Sequence, residues 1–227
     1  MPPMTRHAAA LVAGLLAASC GDASMNGPST VDETARYTVV FSSPWSATTH
    51  PVDYPSDSHF SRLVGGTHGP GVAFWREGER ASQGIKDMAE RGRTSPLDQE
   101  IAAAVAAGQA ERVFLGPAID QTPGSASLSF EISRRFPLVT LVTMVAPSPD
   151  WFVGVAGLSL LENGEWVPER RIDLVPWDAG TDSGLTFRSA DEVTSPPATI
   201  ARILSAPLAP GGAVTPLGTF TFTRVVN

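Results

Sequence analysis

The chain has 227 residues, of which 17% are charged and 42% hydrophobic, with 16 Lys+Arg against 23 Asp+Glu and a net charge of -7. This apolar content excludes a disordered chain, and the absence of a basic excess argues against a nucleic-acid binder. Gly 21 and Pro 20, without any repeat, indicate many turns and short segments, the composition of a β-rich domain.

The elements follow in chain order. Residues 1–7 carry Arg6 and no acid, and Ala8–Ala18 is an unbroken run of apolar and small residues. That run is shorter than the roughly 20 residues a transmembrane helix needs. A basic start, a short apolar stretch and small residues beyond it read as a secretory signal over residues 1–19. Cys20 follows in LAASCG and is the only cysteine. The context resembles a bacterial lipoprotein signal, in which this cysteine is lipidated, although Ala17 stands where such signals usually carry leucine. A lone cysteine forms no intramolecular disulfide. Residues 20–35 are small and polar and read as a flexible tether.

The folded domain is expected over 36–227. Arg36–Ser42 alternates Tyr37, Val39 and Phe41 against polar neighbours, a half-buried strand. Ser43–Gly71 reads as a long ordered loop, and Val72–Trp75 as a short strand. Ser82 is positioned to cap a helix ending at Arg91, with Gly92 beyond it. Ser95-Pro96-Leu97-Asp98 opens a second helix reaching Gly108, with Leu97, Ile101 and Val105 on one stripe. Leu128, Phe130 and Ile132 alternate with polar residues. Phe136–Ala146 is nearly continuous in apolar character, as in a central strand covered on both faces. Strands are also expected at 151–161, 199–204 and 218–226, where Phe220 and Phe222 share a face. The fold class is mainly β: an antiparallel β-sandwich with a short helical insertion of two helices at about 82–108.

Three constellations could carry chemistry. Asp150, in PSPDW, and Asp178 and Asp182, in PWDAGTDSG, sit in turn-forming segments. If the two loops share one end of the sandwich, the three carboxylates converge as a hard oxygen site for Ca²⁺. The alternative is that each aspartate only caps its own turn. His50, His59 and His68, spaced nine residues apart, are imaginable zinc ligands, but that spacing specifies no geometry. A serine hydrolase has no GxSxG motif to support it, and no phosphate-binding glycine loop is present. Trp151 and Trp177 adjoin proposed ligands and either pack beneath the loops or stand at a rim.

Several stretches together carry a family resemblance: WSATTHPVDYPSDSHFSRLVGGTH, Ala89-Glu90-Arg91-Gly92, MVAPSPDWFVG and PWDAGTDSG. Over about residues 36–225 the chain resembles the spondin N-terminal domain, known from F-spondin and mindin and found in bacterial exported proteins. The resemblance implies an antiparallel sandwich similar to calcium-dependent phospholipid-binding domains. It also implies one Ca²⁺ held at the positions of Asp150, Asp178 and Asp182. Animal members are matrix proteins in adhesion, with no known catalysis. This chain lacks their thrombospondin-type repeats and domain cysteines, so their partners do not transfer.

The resulting expectation is an exported, lipid-anchored cell-envelope module, at the outer membrane or cell surface. It would bind or adhere to an unspecified protein, glycan or lipid, would not bind nucleic acid, and would meet the membrane only through its anchor. The alternatives are a secreted hydrolase, metal-dependent or serine-based, and a structural envelope protein whose metal only staples loops.

Overall fold

The computed structural model describes residues 33–226. The expected signal at 1–19, the expected lipidation site Cys20 and most of the expected tether lie outside the described residues. The elements are β1 (Thr34–Ser43), β2 (His59–Phe60), β3 (Val64–His68), α1 (Gln83–Arg91), α2 (Leu97–Ala106), β4 (Ala110–Leu115), β5 (Gly124–Ser133), β6 (Leu138–Ala146), β7 (Trp151–Ser159), β8 (Leu161–Glu162), β9 (Glu165–Trp166), β10 (Glu169–Leu174), β11 (Trp177–Asp178), β12 (Ala201–Arg202) and β13 (Gly218–Val225).

Two antiparallel sheets pack face to face. One runs β10-β13-β1-β5. The other runs β12-β11-β7-β6-β3-β4, with β2 beside the end of β6. Alternation decides which side chains face inward. Tyr37, Val39 and Phe41 of β1 and Phe220 and Phe222 of β13 meet Leu141, Val153 and Val155 of the other sheet in the main core. Phe41 stands edge-on to Phe220 and to Phe60, at 5.3 and 4.8 Å between ring centres. The second face of the larger sheet is also covered: Val142, Met144 and Phe152 pack against Ile85, Met88, Leu97 and Ile101 of the helices. This double cover explains the nearly continuous apolar character of β6, which is buried from Val139 to Ala146 and interrupted only by Thr140 and Thr143.

The first helix begins and ends where its sequence indicates. Ser82 Oγ accepts from Ile85 N at 3.2 Å, and Gly92 adopts a left-handed conformation with φ 63°. Glu100 of α2 reinforces the cap, accepting from Ser82 Oγ at 2.6 Å and Gly84 N at 2.7 Å. Ser82→Ala removes both hydroxyl bonds and is expected to cost about 1–2 kcal/mol, read as a shifted urea midpoint at unchanged slope. A shift below the error of the midpoint would show that Glu100 alone holds this end.

The structure corrects several expectations. The stretch 43–71 is not a continuous loop: it contains β2 and the central strand β3. Val72–Trp75 is not a strand; Phe74 and Trp75 are buried loop residues of the cluster between the larger sheet and the helices, Phe74 against His68 and Trp75 against Phe152 and Trp177. Pro96 occupies the cap position of α2, without a side-chain hydrogen bond, and Ser95 Oγ accepts from Gln99 Nε2 at 2.9 Å instead. On the expected stripe Leu97 and Ile101 are buried, but Val105 is only partly so, and Ala104 fills the third core position. The strand expected at 199–204 shrinks to β12, and β4 and β10 are strands that hydrophobic alternation alone does not signal.

Candidate metal centre in the carboxylate loops

The loop after β6 and the segment that carries β11 meet at one end of the larger sheet. The short strand β11 does the positioning. Trp177 and Asp178 pair with Phe152 and Trp151 of β7, and Ala179 N donates to Asp150 O at 3.1 Å. The register therefore sets Asp178 beside the residue that follows Asp150. Gly180 then turns the chain with φ 74°; a side chain there would also strike the backbone of Ala198 at 2.7 Å. Gly184 closes the approach between the two loops, since a Cβ there would lie 2.6 Å from Pro149 Cγ.

Asp150 is fully buried. Its Oδ2 accepts from Thr181 N at 2.7 Å, Asp182 N at 3.0 Å and Thr181 Oγ1 at 3.2 Å. Its Oδ1 is buried with no hydrogen-bond partner. Asp178 is half-buried, and its Oδ1 accepts from Gly180 N at 2.7 Å. Asp182 is buried and uses both oxygens: Oδ1 accepts from Gly184 N at 2.8 Å and Oδ2 from Glu192 N at 3.0 Å.

The electrostatics follow from that arrangement. Burial, and then the charge of Asp178, push the Asp150 carboxyl up to about 6 against the pull of the Thr181 and Asp182 donors. Burial also raises Asp178, with Asp182 adding to the shift and the Gly180 bond opposing it. These are the marks of a carboxylate group that lacks compensating positive charge. Among the described residues, no set of three or more His, Cys, Asp or Glu side chains is gathered closely enough to form a ready-made metal cage. The three aspartates share one loop cluster, yet much of their hydrogen-bonding capacity is turned toward the backbone. Both turn capping and ion binding are therefore compatible with the donor set. The observation that capping leaves unexplained is the orphaned Asp150 Oδ1.

The histidines separate. His50 bonds Thr49 Oγ1 and Thr215 O, His59 bonds Asp57 O, and His68 bonds Gly69 O and Thr140 Oγ1. The His68–Thr140 pair orders the sheet. Thr140 Oγ1 also accepts from Gly157 N at 3.1 Å, which pins the bulge where β7 turns left-handed at φ 62°. Among the described residues no serine hydroxyl bonds a histidine. Trp151 and Trp177 both pack inward, 3% and 8% exposed, Trp151 against Phe187 and Trp177 against Trp75. Sequence reasoning missed Thr181, which supplies two of the donors to Asp150; its position between the two aspartates of the DAGTDSG turn was the available signal.

The Spondin_N family model matches residues 35–211, the span from β1 to just beyond β12. The chain belongs to the spondin N-terminal domain family. Human Spondin-2 is 41% identical over 175 residues, covering 75% of this chain and 53% of its own length. Rat Spondin-2 is 38% identical over 204 residues, covering 84% and 62%. Rat Spondin-1 is 34% identical over 209 residues, covering 86% of this chain but 26% of its own. The chain thus spans a little over half of these Spondin-2 sequences and about a quarter of Spondin-1. The matched spondin region contains both carboxylate loops and the two helices.

Proposed function

We propose that this spondin domain is an exported, non-catalytic binding module of the cell envelope, tethered through a lipid on Cys20, whose carboxylate loops hold one Ca²⁺. The observation that carries the metal reading is Asp150 Oδ1, a buried carboxylate oxygen without a partner. Such an atom costs folding free energy unless a cation or another donor meets it. Asp150 and Asp178 each offer an oxygen free of hydrogen bonds. Asp182 contributes lone pairs beyond those taken by Gly184 and Glu192, since an ionised carboxylate has about four acceptor positions. Carbonyl oxygens and water complete the 6–8 oxygen shell Ca²⁺ prefers. The ion supplies charge neutralisation and ties the two loops together. The likeness to Spondin-1 and Spondin-2 supports an extracellular adhesive role over a hydrolytic one.

Calorimetric titration of calcium into chelator-treated protein tests the metal. One site is expected in wild type, with affinity lost in Asp178→Asn combined with Asp182→Asn. Heat indistinguishable between wild type and that double variant would remove calcium from these loops.

A further inference from the structure

The loop that leaves the carboxylate cluster is anchored along its whole length. Asp182 holds both legs through Gly184 N and Glu192 N. Ser183 N donates to Glu192 O at 2.8 Å, Thr194 N to Thr181 O at 3.0 Å, and the Ser183 and Thr194 hydroxyls meet at 2.8 Å. Ser189 Oγ closes the tip, accepting from Leu185 N at 3.1 Å and Thr186 N at 3.0 Å. Phe187 is buried between Trp45 and Trp151, with ring centres 5.6 and 5.3 Å away, and Arg188 pairs with Asp57. The segment 181–194 is therefore an ordered ribbon.

On this ribbon Leu185 and Val193 are 77% and 73% exposed. Both flank the same carboxylate: Leu185 follows Gly184, and Val193 bridges to Asp182 across the ribbon. Single exposed aliphatics are ordinary. Two held out by one latched loop, beside the proposed ion, add nothing to the core and are already ordered, which lowers the entropy cost of a contact. The neighbouring charges indicate what that contact is. Asp191 and Glu192 are exposed, and among the described residues neither has an ion-pair partner. Together with the net charge of -7, they favour a cationic partner and repel anionic headgroups.

We infer that the ribbon from Asp182 to Thr194 is the contact face for a basic, aliphatic-bearing protein segment, with Leu185 and Val193 as apolar anchors and Asp191 and Glu192 as the complementary charge. The inference rests on reading the chain as a binding module, and it goes beyond that reading by naming the face and the chemistry of the partner.

The test measures fluorescence anisotropy of a labelled peptide of alternating arginine and leucine against the purified chain in calcium. An aspartate-leucine peptide, phosphatidylcholine vesicles and phosphatidylserine vesicles serve as the other probes. Saturable binding of the arginine-leucine peptide is expected, weakened about tenfold or more by Leu185→Ser or Val193→Ser and by added salt. Asp191→Asn with Glu192→Gln should weaken it and flatten the salt dependence. The folded state is expected to be unchanged, since all four side chains are exposed. Peptide binding indifferent to both aliphatic substitutions would overturn the inference. Vesicle binding that depends on Leu185, or concentration-dependent self-association lost in Leu185→Ser, would overturn it in favour of a lipid surface or a second copy. Peptide binding that persists in chelator, with no calorimetric heat for calcium, would overturn the metal reading alone.

Discussion

Asp150→Asn is expected to erase calcium-dependent stabilisation while leaving the chelated protein close to wild-type stability. Asparagine keeps the shape and one acceptor oxygen, so the N–H groups of Thr181 and Asp182 need not lose their partner. Two effects then oppose each other at neutral pH. Removing the buried charge recovers up to about 3 kcal/mol, the stability equivalent of a carboxyl held near 6 instead of its ordinary 3.8. The new amide N–H₂ occupies the place of the orphaned oxygen and costs about 1–3 kcal/mol if it also finds no acceptor. With calcium at about a hundred times its dissociation constant, wild type gains about 2.7 kcal/mol and the variant nothing, a split of about 5–10 °C in melting temperature for a domain of this size.

The pH dependence gives a second readout of the same group. An unfolded aspartate releases its proton near 3.8 and folded Asp150 near 6, so between these values the folded state binds the extra proton. Stability in chelator therefore falls as pH rises from about 4 to about 6 and levels off above. Asp178, shifted in the same direction, adds to the fall. The Asn variant should show a shallower slope between about pH 4 and 6, and calcium should reduce the wild-type fall over the same window. An Asn variant that still gains the full calcium shift would exclude Asp150 as a ligand.

Local pattern made part of this legible in the sequence. Strands β1 and β13 alternate cleanly because one face of each meets the core and the other meets water. Helix α1 carries its own start and stop signals in Ser82 and Gly92. The spacing of Asp178 and Asp182 around Gly180 marked the loop cluster. What the sequence did not reveal depends on partners distant in the chain. Strand β3 reads as VGGTH, without alternation, because its glycines serve neighbouring backbones and not a side-chain face. Strands β4 and β10 carry Glu and Arg as charged outer strands do. The orientation of the Asp182 oxygens depends on Glu192, ten residues away, and no spacing rule reports which lone pairs are already committed.

Gly65→Ala is expected to be among the most damaging single-methyl additions in the domain. Strand β3 lies between β4 and β6, and a Cβ at Gly65 would stand 2.0 Å from Thr140 O and 2.8 Å from Leu141 Cα. Both obstacles are backbone of the central strand β6, so no change of rotamer relieves them. Nor can β6 retreat, because Leu141 and Val145 are packed into the main core and Val142 and Met144 into the helical one. Overpacking where side chains can yield costs about 1–3 kcal/mol; here the backbone must move, and a loss of about 3 kcal/mol or more is expected. The damage should reach the site, since β6 leads directly into the Pro147–Asp150 turn, and calcium affinity should fall with stability. Gly71→Ala is the matched control: nothing lies within 4 Å of its Cβ position, and its effect should stay within about 0.5 kcal/mol. Urea unfolding of the two variants decides the matter. Equal midpoints would mean that β3 is held less tightly between its neighbours than this register requires.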